Sequence, residues 1–295
     1  IRLWRSQRKA QRIIKEFQPQ VAVGVGGYAS GPTLNVCGKM GIPSLLQEQN
    51  SYAGVTNKLL AKRAQRICVA YDKMERFFPA DRILLTGNPV RQNLLHPTLS
   101  QAEARRALGL RPDVKTIIGG SLGARTLNES VLSERSLLEA HPEVQVLWQT
   151  GSYYKEAIAE SLKTEGHPDN LVVTDFVTDM GAAYTAADLV ISRAGASSIS
   201  ELALLGKPSI LVPSPNVAED HQTHNALALV EKDAALYVKD SEAYDELMPL
   251  ALKTVGDEAQ LEKLSHNVRQ LAHPDAASRI ADEVIRLAEA AQGAQ

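Results

Sequence analysis

The sequence predicts an α/β protein with parallel β-sheets, and three observations support that prediction. Short apolar runs alternate with longer amphipathic runs along the chain, which is typical of βαβ units with helices on both faces of a sheet. The chain has 295 residues, enough for two domains of ordinary size. Glycine-rich turns follow several apolar runs, at the positions where parallel strands lead into helices.

Ten apolar runs are predicted strands, and helical segments separate most of them. The predicted strands cover residues 20–26, 44–47, 66–71, 82–86, 114–118, 144–150, 171–174, 188–192, 209–213 and 234–238. Residues 100–103, "SQAE", form a capping box and predict the start of a helix after the stretch "LLHPTLS". We place the domain boundary in that stretch, so residues 94–272 are expected to form a complete α/β domain.

Residues 1–93 are expected to be the remainder of a first, incomplete domain of the same class. The chain opens on Ile1 inside a helical pattern, and its first methionine is Met40. We therefore expect that the true N-terminus is missing.

A final helix is predicted over residues 273–295. It places Ile280, Val284 and Leu287 on one apolar face. That face is equally compatible with packing on the second domain and with packing back on the first.

Composition argues against several classes of protein. The net charge of -2 gives no reason to expect a nucleic acid as partner. The two cysteines, Cys37 and Cys68, have neither metal-ligand spacing nor the pattern of a disulfide framework. No apolar run approaches the roughly 18 residues of a membrane span, and no signal peptide is visible.

Two glycine-rich turns, at residues 24–32 and 117–125, lie where a phosphorylated ligand would bind. Small residues let the main chain approach such a ligand, and the following helix presents unpaired N–H groups to an anion. In "GGSLGA" the hydroxyl of Ser121 would add one more hydrogen bond to a phosphate. The alternative is a tight turn between strand and helix that binds no ligand.

Two common nucleotide motifs do not fit this turn. A dinucleotide site requires G-x-G-x-x-G and an acidic residue about 20 positions later, whereas the next predicted strand ends in Thr150 and Gly151. A P-loop requires Lys-Ser or Lys-Thr after the glycines, and neither is present. NAD and ATP are therefore both disfavoured.

The stretch "DLVISRAGASSISEL" passes from an apolar strand through small residues into a helix that carries Glu201. The small residues would leave room for a ligand, and the Glu201 carboxylate would accept both hydroxyls of a ribose. The alternative is a solvated acid in the first helical turn, stabilised by the helix dipole, and position alone favours that alternative.

Other polar residues follow predicted strands. "GNPVR" delivers Arg91, whose guanidinium would pair with a diphosphate or simply lie on the surface. "LLQEQNS" places Glu48 and Asn50 on the same side. "EDHQTHNA" opens a helix with His221 and His224 three residues apart, but no third ligand is evident, so a polar helix start is favoured over a metal site.

The first 15 residues carry six basic side chains and no acid, together with the apolar residues Ile1, Leu3, Trp4, Ile13 and Ile14. A helix of this kind either binds an anionic membrane surface or presents a solvated face above core anchors, and the residues alone favour the second.

Taken in order, "GGYASGP", "EQNSYAGVTNKLLA", "LTGNPVR", "GGSLGARTLNES", "SRAGASSISEL" and "EDHQTHNA" resemble the MurG family of bacterial peptidoglycan glycosyltransferases. The resemblance extends from about residue 1 to 290. It implies two Rossmann-like domains facing a cleft, the glycosyltransferase-B type. It also implies inverting transfer of N-acetylglucosamine from UDP-N-acetylglucosamine to the undecaprenyl-pyrophosphoryl-MurNAc-pentapeptide lipid, with no cofactor or metal ion. The protein would work peripherally on the cytoplasmic face of the inner membrane, which raises the membrane interpretation of the basic helix above its alternative.

By motif match, the resemblance assigns contacts with the donor to Asn50, Arg91, Ser121, Val177, Glu201 and Gln222. Ser121 and Arg91 would meet the diphosphate, and the main chain of Val177 would meet the uracil. Glu201 would hold the ribose, while Gln222 and Asn50 would contact the sugar.

The sequence departs from the family in two places. The family's first glycine loop, with a histidine that is a candidate base, lies upstream of Ile1, so we expect the 295 residues to be inactive. The catalytic base then stays unassigned, with Glu48 a weak local candidate. The predicted strand 114–118 is also short for the centre of a sheet.

Two other functions stay open on the sequence. A sugar-nucleotide epimerase shares this two-domain architecture and needs acid and base groups around carbon 2 of the sugar, but no membrane-facing helix. A catalytically inactive protein that binds nucleotide sugars is the other.

Overall fold

The structure, a computed structural model, describes residues 2–293 and contains all ten predicted strands. Residue contacts divide the chain into two compact units. The first comprises Ile1–Val90 and His273–Gln295, and the second comprises Arg91–Ala272. Every strand pair in both units is parallel, so the predicted α/β class is confirmed.

The first unit has a four-stranded sheet in the order β1-β2-β3-β4. Its strands are β1 (Ala22–Gly24), β2 (Ser44–Glu48), β3 (Arg66–Val69) and β4 (Ile83–Leu85), and its helices before the second unit are α1 (Arg2–Phe17), α2 (Ser30–Lys39) and α3 (Val55–Leu60). All five residues of β2 are buried, including Leu45 and Leu46, whose side chains point to opposite faces. A strand buried on both faces is what a parallel sheet covered by helices requires.

The second unit has a six-stranded sheet in the order β10-β9-β8-β5-β6-β7. Its strands are β5 (Lys115–Gly120), β6 (Val144–Gln149), β7 (Leu171–Thr174), β8 (Leu189–Ser192), β9 (Ser209–Leu211) and β10 (Leu236–Tyr237). Its helices are α4 (Gln101–Ala107), α5 (Arg125–Ser133), α6 (Arg135–Glu139), α7 (Lys155–Glu165), α8 (Met180–Ala186), α9 (Ala196–Leu205), α10 (His221–Val230), α11 (Ala243–Val255) and α12 (Glu258–Arg269).

The predicted capping box opens α4. Ser100 Oγ accepts a hydrogen bond from the main-chain N–H of Glu103, and the Glu103 carboxylate accepts one from the N–H of Ser100 at 2.9 Å. The two side chains therefore satisfy N–H groups that the first helical turn leaves unpaired.

The expectation that the central strand β5 is short was wrong. Both glycines after residue 118 continue the strand, and they pair with Trp148 and Gln149 of β6. A β-carbon on Gly119 would lie 2.3 Å from the ring of Trp148, which is almost fully buried. The glycine thus makes room for an indole that fills the core beside the strand.

The last helix, α13 (Ala276–Gly293), packs within the first unit. Its apolar face is formed by Ile280, Val284 and Leu287. Leu287 is 7% exposed and lies in a cluster with Leu45 and Cys68. This face covers the side of the sheet opposite the one that Leu46 faces, where α2 and α3 contribute Leu34 and Leu60 to another cluster.

We expect Leu287→Ala to lower the free energy of unfolding by about 2–3 kcal/mol, because it removes buried methyl groups and leaves a cavity. The control is Ile285→Ala on the same helix, where the side chain is 54% exposed and the cost should stay near about 0.5 kcal/mol. Urea unfolding followed by circular dichroism measures both. Equal losses in the two variants would show that α13 does not complete this core.

Candidate functional site

The strand order of the second unit creates a switch point between β5 and β8. The chain proceeds outward from β5 through β6 and β7, then returns to pair β8 with the other side of β5. The connections that follow β5 and β8 therefore lead in opposite directions from the centre of the sheet. In open parallel sheets a ligand binds in the crevice that this arrangement opens beyond the carboxyl ends of the strands.

The glycine turn that begins at the end of β5 lies directly on the main chain at the end of β6 and just after it. Gly120 has a φ of +118°, and a β-carbon there would lie 2.0 Å from the carbonyl oxygen of Gln149. A β-carbon on Gly151 would lie 2.5 Å from the nitrogen of Gly123. The N–H of Ser121 donates to the same Gln149 oxygen at 3.2 Å. The glycines are therefore required for main-chain packing, whether or not a ligand binds.

This packing brings the start of α5 to the carboxyl end of the sheet. Within residues 2–293, no side chain caps the N-terminus of α5, whose N-cap is Ala124, or that of α9, whose N-cap is Gly195. The unpaired N–H groups of these two first turns lie just after the connections that lead from β5 to α5 and from β8 to α9, on either side of the switch point. They form an environment that favours an anion.

A cavity of 290 Å³ lies at the switch point within the second unit. Four of the six predicted site residues line it: Arg91, Ser121, Val177 and Glu201. The lining also includes Gly120, Gln149, Phe176, Tyr184, Arg193 and Ser198. The motifs that carry Arg91, Ser121, Val177 and Glu201 are far apart in the sequence, and they meet around this one cavity.

Glu201 lies in the second turn of α9 and is only 8% exposed, so the interpretation as a solvated acid in the first turn was wrong. Its carboxylate forms a bidentate ion pair with Arg91, from Nε to Oε1 at 2.8 Å and from Nη2 to Oε2 at 3.1 Å. The hydroxyl of Tyr184 donates to Oε2 at 3.0 Å. The buried carboxylate thus receives three charge-assisted hydrogen bonds, two of them from a cation.

The two partners of Glu201 keep their protons over the ordinary pH range. The hydrogen bond with Glu201 raises the pKa of the Arg91 guanidinium. Burial, and secondarily the charge of Glu201, raises the pKa of the Tyr184 hydroxyl. Arg91 is therefore a cation at this site and Tyr184 a neutral donor.

Tyr184 was not among the residues predicted from the sequence. It lies on α8, a helix of mostly small residues, and it lines the cavity together with Met180 of the same helix. A large polar side chain in a row of alanines was the available signal, but the pattern alone does not say where the hydroxyl points.

Val177 and Gln222, both predicted site residues, form hydrogen bonds that support the main chain around the cavity. The N–H of Val177 donates to Oε1 of Gln149 at 2.9 Å. Oε1 of Gln222, on α10, accepts from the N–H of Ala194 at 3.2 Å and of Ser214 at 2.9 Å. Gln222 thus joins the connection after β8 to the connection after β9.

Asp240 connects two sides of the site from outside the cavity lining. One carboxylate oxygen pairs with Arg193, which also donates to the carbonyls of Val212 and Pro213, each at 3.1 Å. The other accepts from the hydroxyl of Thr126, in the first turn of α5, at 3.1 Å. The start of α5 and the end of β8 are therefore tied to one side chain.

Asn50 belongs to the first unit, where it follows β2. Its N–H donates to Oε1 of Glu48 at 3.1 Å, while Gly54 N–H and Asn57 Nδ2 donate to Oε2 at 3.0 and 2.9 Å. These hydrogen bonds hold the loop of Asn50 in place, and Glu48 itself is only 2% exposed. This geometry contradicts its candidacy as the catalytic base, because both oxygens are occupied and shielded.

His221 and His224 lie on the first turns of α10, as expected of a polar helix start. Among the residues that the structure describes, no group of three or more His, Cys, Asp or Glu side chains is placed to hold a metal ion.

Comparison with known proteins adds two family matches. Residues 1–69 match the N-terminal domain of glycosyltransferase family 28, and residues 115–280 match its C-terminal domain. The chain is 62% identical to the UDP-N-acetylglucosamine–N-acetylmuramyl-(pentapeptide) pyrophosphoryl-undecaprenol N-acetylglucosamine transferase of Bacteroides thetaiotaomicron, over 98% of this chain and 78% of that protein. It is 51% identical to the protein of the same name from Porphyromonas gingivalis, over 97% of this chain and 76% of that protein.

Solved structures show the same fold. The crystal structure of Acinetobacter baumannii MurG matches with a TM-score of 0.78 and 29% identity, over 97% of this chain and 80% of that one. A UDP-GlcNAc 2-epimerase from Neisseria meningitidis, solved with UDP-GlcNAc bound, matches with a TM-score of 0.69 and 13% identity, over 96% of this chain and 81% of that one. The second likeness shows a shared fold alone.

We expect Gly120→Ala to lower the free energy of unfolding by at least about 3 kcal/mol, because a β-carbon would combine a φ restricted to glycine with a collision against main chain. Gly109→Ala is the control, since Gly109 has a φ of +73° but open space around its β-carbon position. That variant should lose only about 1 kcal/mol. Urea unfolding separates the two, and similar losses would mean that contact with Gln149 is not what requires glycine at 120.

Proposed function

The chain belongs to the family of UDP-N-acetylglucosamine–N-acetylmuramyl-(pentapeptide) pyrophosphoryl-undecaprenol N-acetylglucosamine transferases, and on that premise we propose that the 290 Å³ cavity of its second unit binds the UDP-N-acetylglucosamine donor. The observation that carries the proposal is the meeting of the glycine turn after β5, Arg91 and Glu201 at the switch point of the sheet.

The chain is an N-acetylglucosaminyltransferase of peptidoglycan synthesis with two parallel-sheet units of the glycosyltransferase-B type. Its donor is UDP-N-acetylglucosamine, and its acceptor is the undecaprenyl-pyrophosphoryl lipid that carries the N-acetylmuramyl-pentapeptide.

The diphosphate of the donor lies, in our proposal, against Ser121 and the unpaired N–H groups at the start of α5, with Arg91 as counter-ion. Ser121 and these N–H groups are fixed before the ligand arrives, because the glycine turn is packed against Gln149 and Gly151. Glu201 accepts hydrogen bonds from the ribose, and its burial makes each of these bonds strong. Val177 and the half-exposed ring of Phe176 line the part of the cavity that would take the uracil.

The remaining two assignments concern the sugar. We propose that Gln222 reaches it with its amide nitrogen, since its oxygen is bound to the main chain at Ala194 and Ser214. Asn50 of the first unit is proposed to contact the sugar as well, held in its loop by Glu48.

The transfer is proposed to proceed with inversion. The acceptor hydroxyl attacks the anomeric carbon and loses its proton to a base that stays unassigned, while the bond from that carbon to the diphosphate oxygen breaks. Negative charge then grows on the departing UDP. The Arg91 cation and the helix N–H groups stabilise that charge where it develops, so they lower the barrier without having to reorganise.

An epimerase shares the fold, as the match with the Neisseria meningitidis enzyme shows, so the fold does not separate the two functions. Identity of 62% to a transferase, against 13% to the epimerase, favours the transferase.

We expect calorimetric titration of the chain to show binding of UDP and UDP-N-acetylglucosamine and no comparable binding of ADP or NAD. Glu201→Ala should weaken UDP binding at least about tenfold, because it removes charge-assisted hydrogen bonds to the ribose. Glu160→Ala makes the same change at an exposed position of α7 and should leave the affinity unaltered. Preference for ADP or NAD, or equal UDP affinity in the Glu201→Ala variant, would refute the proposed site.

We further propose that the first unit binds the cytoplasmic face of the inner membrane through α1. Along this helix Arg5, Arg8, Lys9, Arg12 and Lys15 are exposed together with large apolar side chains. Leu3 is 61% exposed and Trp4 is 55% exposed, and the guanidinium of Arg8 lies 3.5 Å from the ring centroid of Trp4.

The surface next to α1 extends this apolar area. Leu3 borders a groove of 700 Å³ that is also lined by Tyr28, Pro32 and Leu59. Tyr28 is 92% exposed and Leu59 is 74% exposed. Apolar and aromatic side chains flanked by cations are the combination that binds an anionic interface. Among residues 2–293, no helix is both long enough and apolar enough to cross a bilayer.

We expect the chain to sediment with vesicles that contain anionic phospholipid and to remain in solution with neutral vesicles. Replacing Arg5, Arg8 and Arg12 by Ser should reduce binding at least about tenfold, at about 1 kcal/mol for each cation near the surface. The control replaces Arg106, Lys163 and Lys253 of the second unit by Ser. These three residues are exposed, and replacing them removes the same amount of charge. Equal losses in the two triple variants would show that net charge, and not α1, directs the protein to the vesicles.

A further inference from the structure

Glu201 has too few free acceptor sites for both hydroxyls of a ribose, because three of the roughly four lone-pair sites of its carboxylate are already in use. Both oxygens already accept hydrogen bonds, from Arg91 at 2.8 and 3.1 Å and from Tyr184 at 3.0 Å. A ribose can therefore take full hold of this carboxylate only if one of the two partners withdraws.

The two partners of Glu201 differ in their exposure, and this difference favours withdrawal of Arg91. The side chain of Arg91 is 52% exposed, whereas that of Glu201 is 11% exposed and Tyr184 is 5% exposed as a residue. The guanidinium is able to turn into the cavity and keep its solvation, while the carboxylate and the phenol are confined by packing.

The main chain of Arg91 is anchored by the segment that follows it, whereas its side chain is half exposed. Arg91 immediately precedes a short 3-10 helix, Gln92–Leu95, whose Leu94 is 2% exposed. Arg91 also lines the same cavity as Gly120 and Ser121. A diphosphate bound there offers the guanidinium a second, more highly charged partner on the other side of one cavity.

The exchange has to be completed by both halves of the ligand. If a diphosphate alone drew Arg91 away, Glu201 would be left as a buried charge without a cation, which is strongly unfavourable. If a nucleoside alone arrived, its hydroxyls would compete with a bidentate ion pair without any compensation for the arginine. A ligand that carries a ribose diol and a diphosphate satisfies both groups at once.

We propose that Arg91 is a specificity-determining residue that occupies the ribose-binding carboxylate and releases it only to a ligand with both a ribose diol and a diphosphate. Tyr184 is the positioning residue that keeps Glu201 in place during the exchange. This inference rests on the proposed donor site, and it adds that the site selects against nucleosides through its own ion pair.

The test compares uridine and UDP binding to the wild-type chain and to Arg91→Ala by calorimetry. UDP affinity should fall at least about tenfold overall, because the lost phosphate contact outweighs the gain from freeing Glu201. Uridine affinity should rise about tenfold, the reciprocal of an unpaired fraction of about one in ten in the wild-type chain. Arg106→Ala, at an exposed position of α4, should change neither.

The opposite signs separate this proposal from simpler ones. An arginine that only contacts phosphate would leave uridine affinity unchanged in Arg91→Ala, and an arginine needed only for folding would lower both affinities. Either result overturns the exchange. Failure of UDP to bind the wild-type chain would instead refute the donor site itself. If Arg91→Ala does not fold, Arg91→Gln keeps a neutral hydrogen-bond donor toward Glu201 and should show the same two signs.

Tyr184→Phe tests the positioning role. The wild-type chain should prefer UDP to 2′-deoxyuridine diphosphate, and this preference should fall at least about threefold in the variant because Glu201 is no longer held. A tyrosine that only fills space would weaken both nucleotides equally and leave the preference unchanged, which would overturn its assignment.

Discussion

The second unit depends on one close contact, the approach of the main chain after β5 to the main chain after β6. Gly120 and Gly151 allow it, because a β-carbon at either position would collide with backbone atoms of the other segment. The contact places the start of α5 beside the carboxyl end of the sheet and fixes one wall of the cavity. The opposite wall comes from α9, on the other side of the switch point. This geometry favours an anion at the cavity, since helix N–H groups are effective only when the chain brings them near the ligand.

The cavity combines rigid and adjustable charge. Main-chain N–H groups and the buried Glu201 have fixed positions, whereas Arg91 is bound at its main chain and exposed at its guanidinium. An ion pair between such partners leaves the ligand-free site electrically satisfied. Its charges are already present in the arrangement that a nucleoside diphosphate requires, so binding exchanges partners and does not create new buried charge.

The regular structure was readable from the sequence because burial on both faces produces apolar runs that hardly depend on tertiary detail. All ten strands were found in this way. The capping box at Ser100 was found from the local spacing of Ser100 and Glu103. The length of β5 was misjudged, because the space that Gly119 leaves is filled by Trp148, about thirty residues later in the chain. The partners of Glu201 were also out of reach. Arg91 and Tyr184 come from separate segments, and no local pattern records that they meet one carboxylate.

Family membership and fold answer different questions for this chain. The fold is shared with an epimerase at 13% identity and therefore does not identify the reaction, whereas the identity of 62% to a transferase covers 98% of the chain. The residues that distinguish the functions lie where strands end, which is also where the main chain is least constrained by the sheet.

Asp240 has an evolutionary consequence that follows from its position behind the cavity. It joins Thr126 on α5 to Arg193 after β8, yet it does not line the cavity. A replacement at this one position would loosen the two walls together while every donor-contacting side chain stayed the same. Relatives with identical contact residues would then differ in the rate at which they turn over the donor. Selection at this position would change that rate without changing which sugar nucleotide is used.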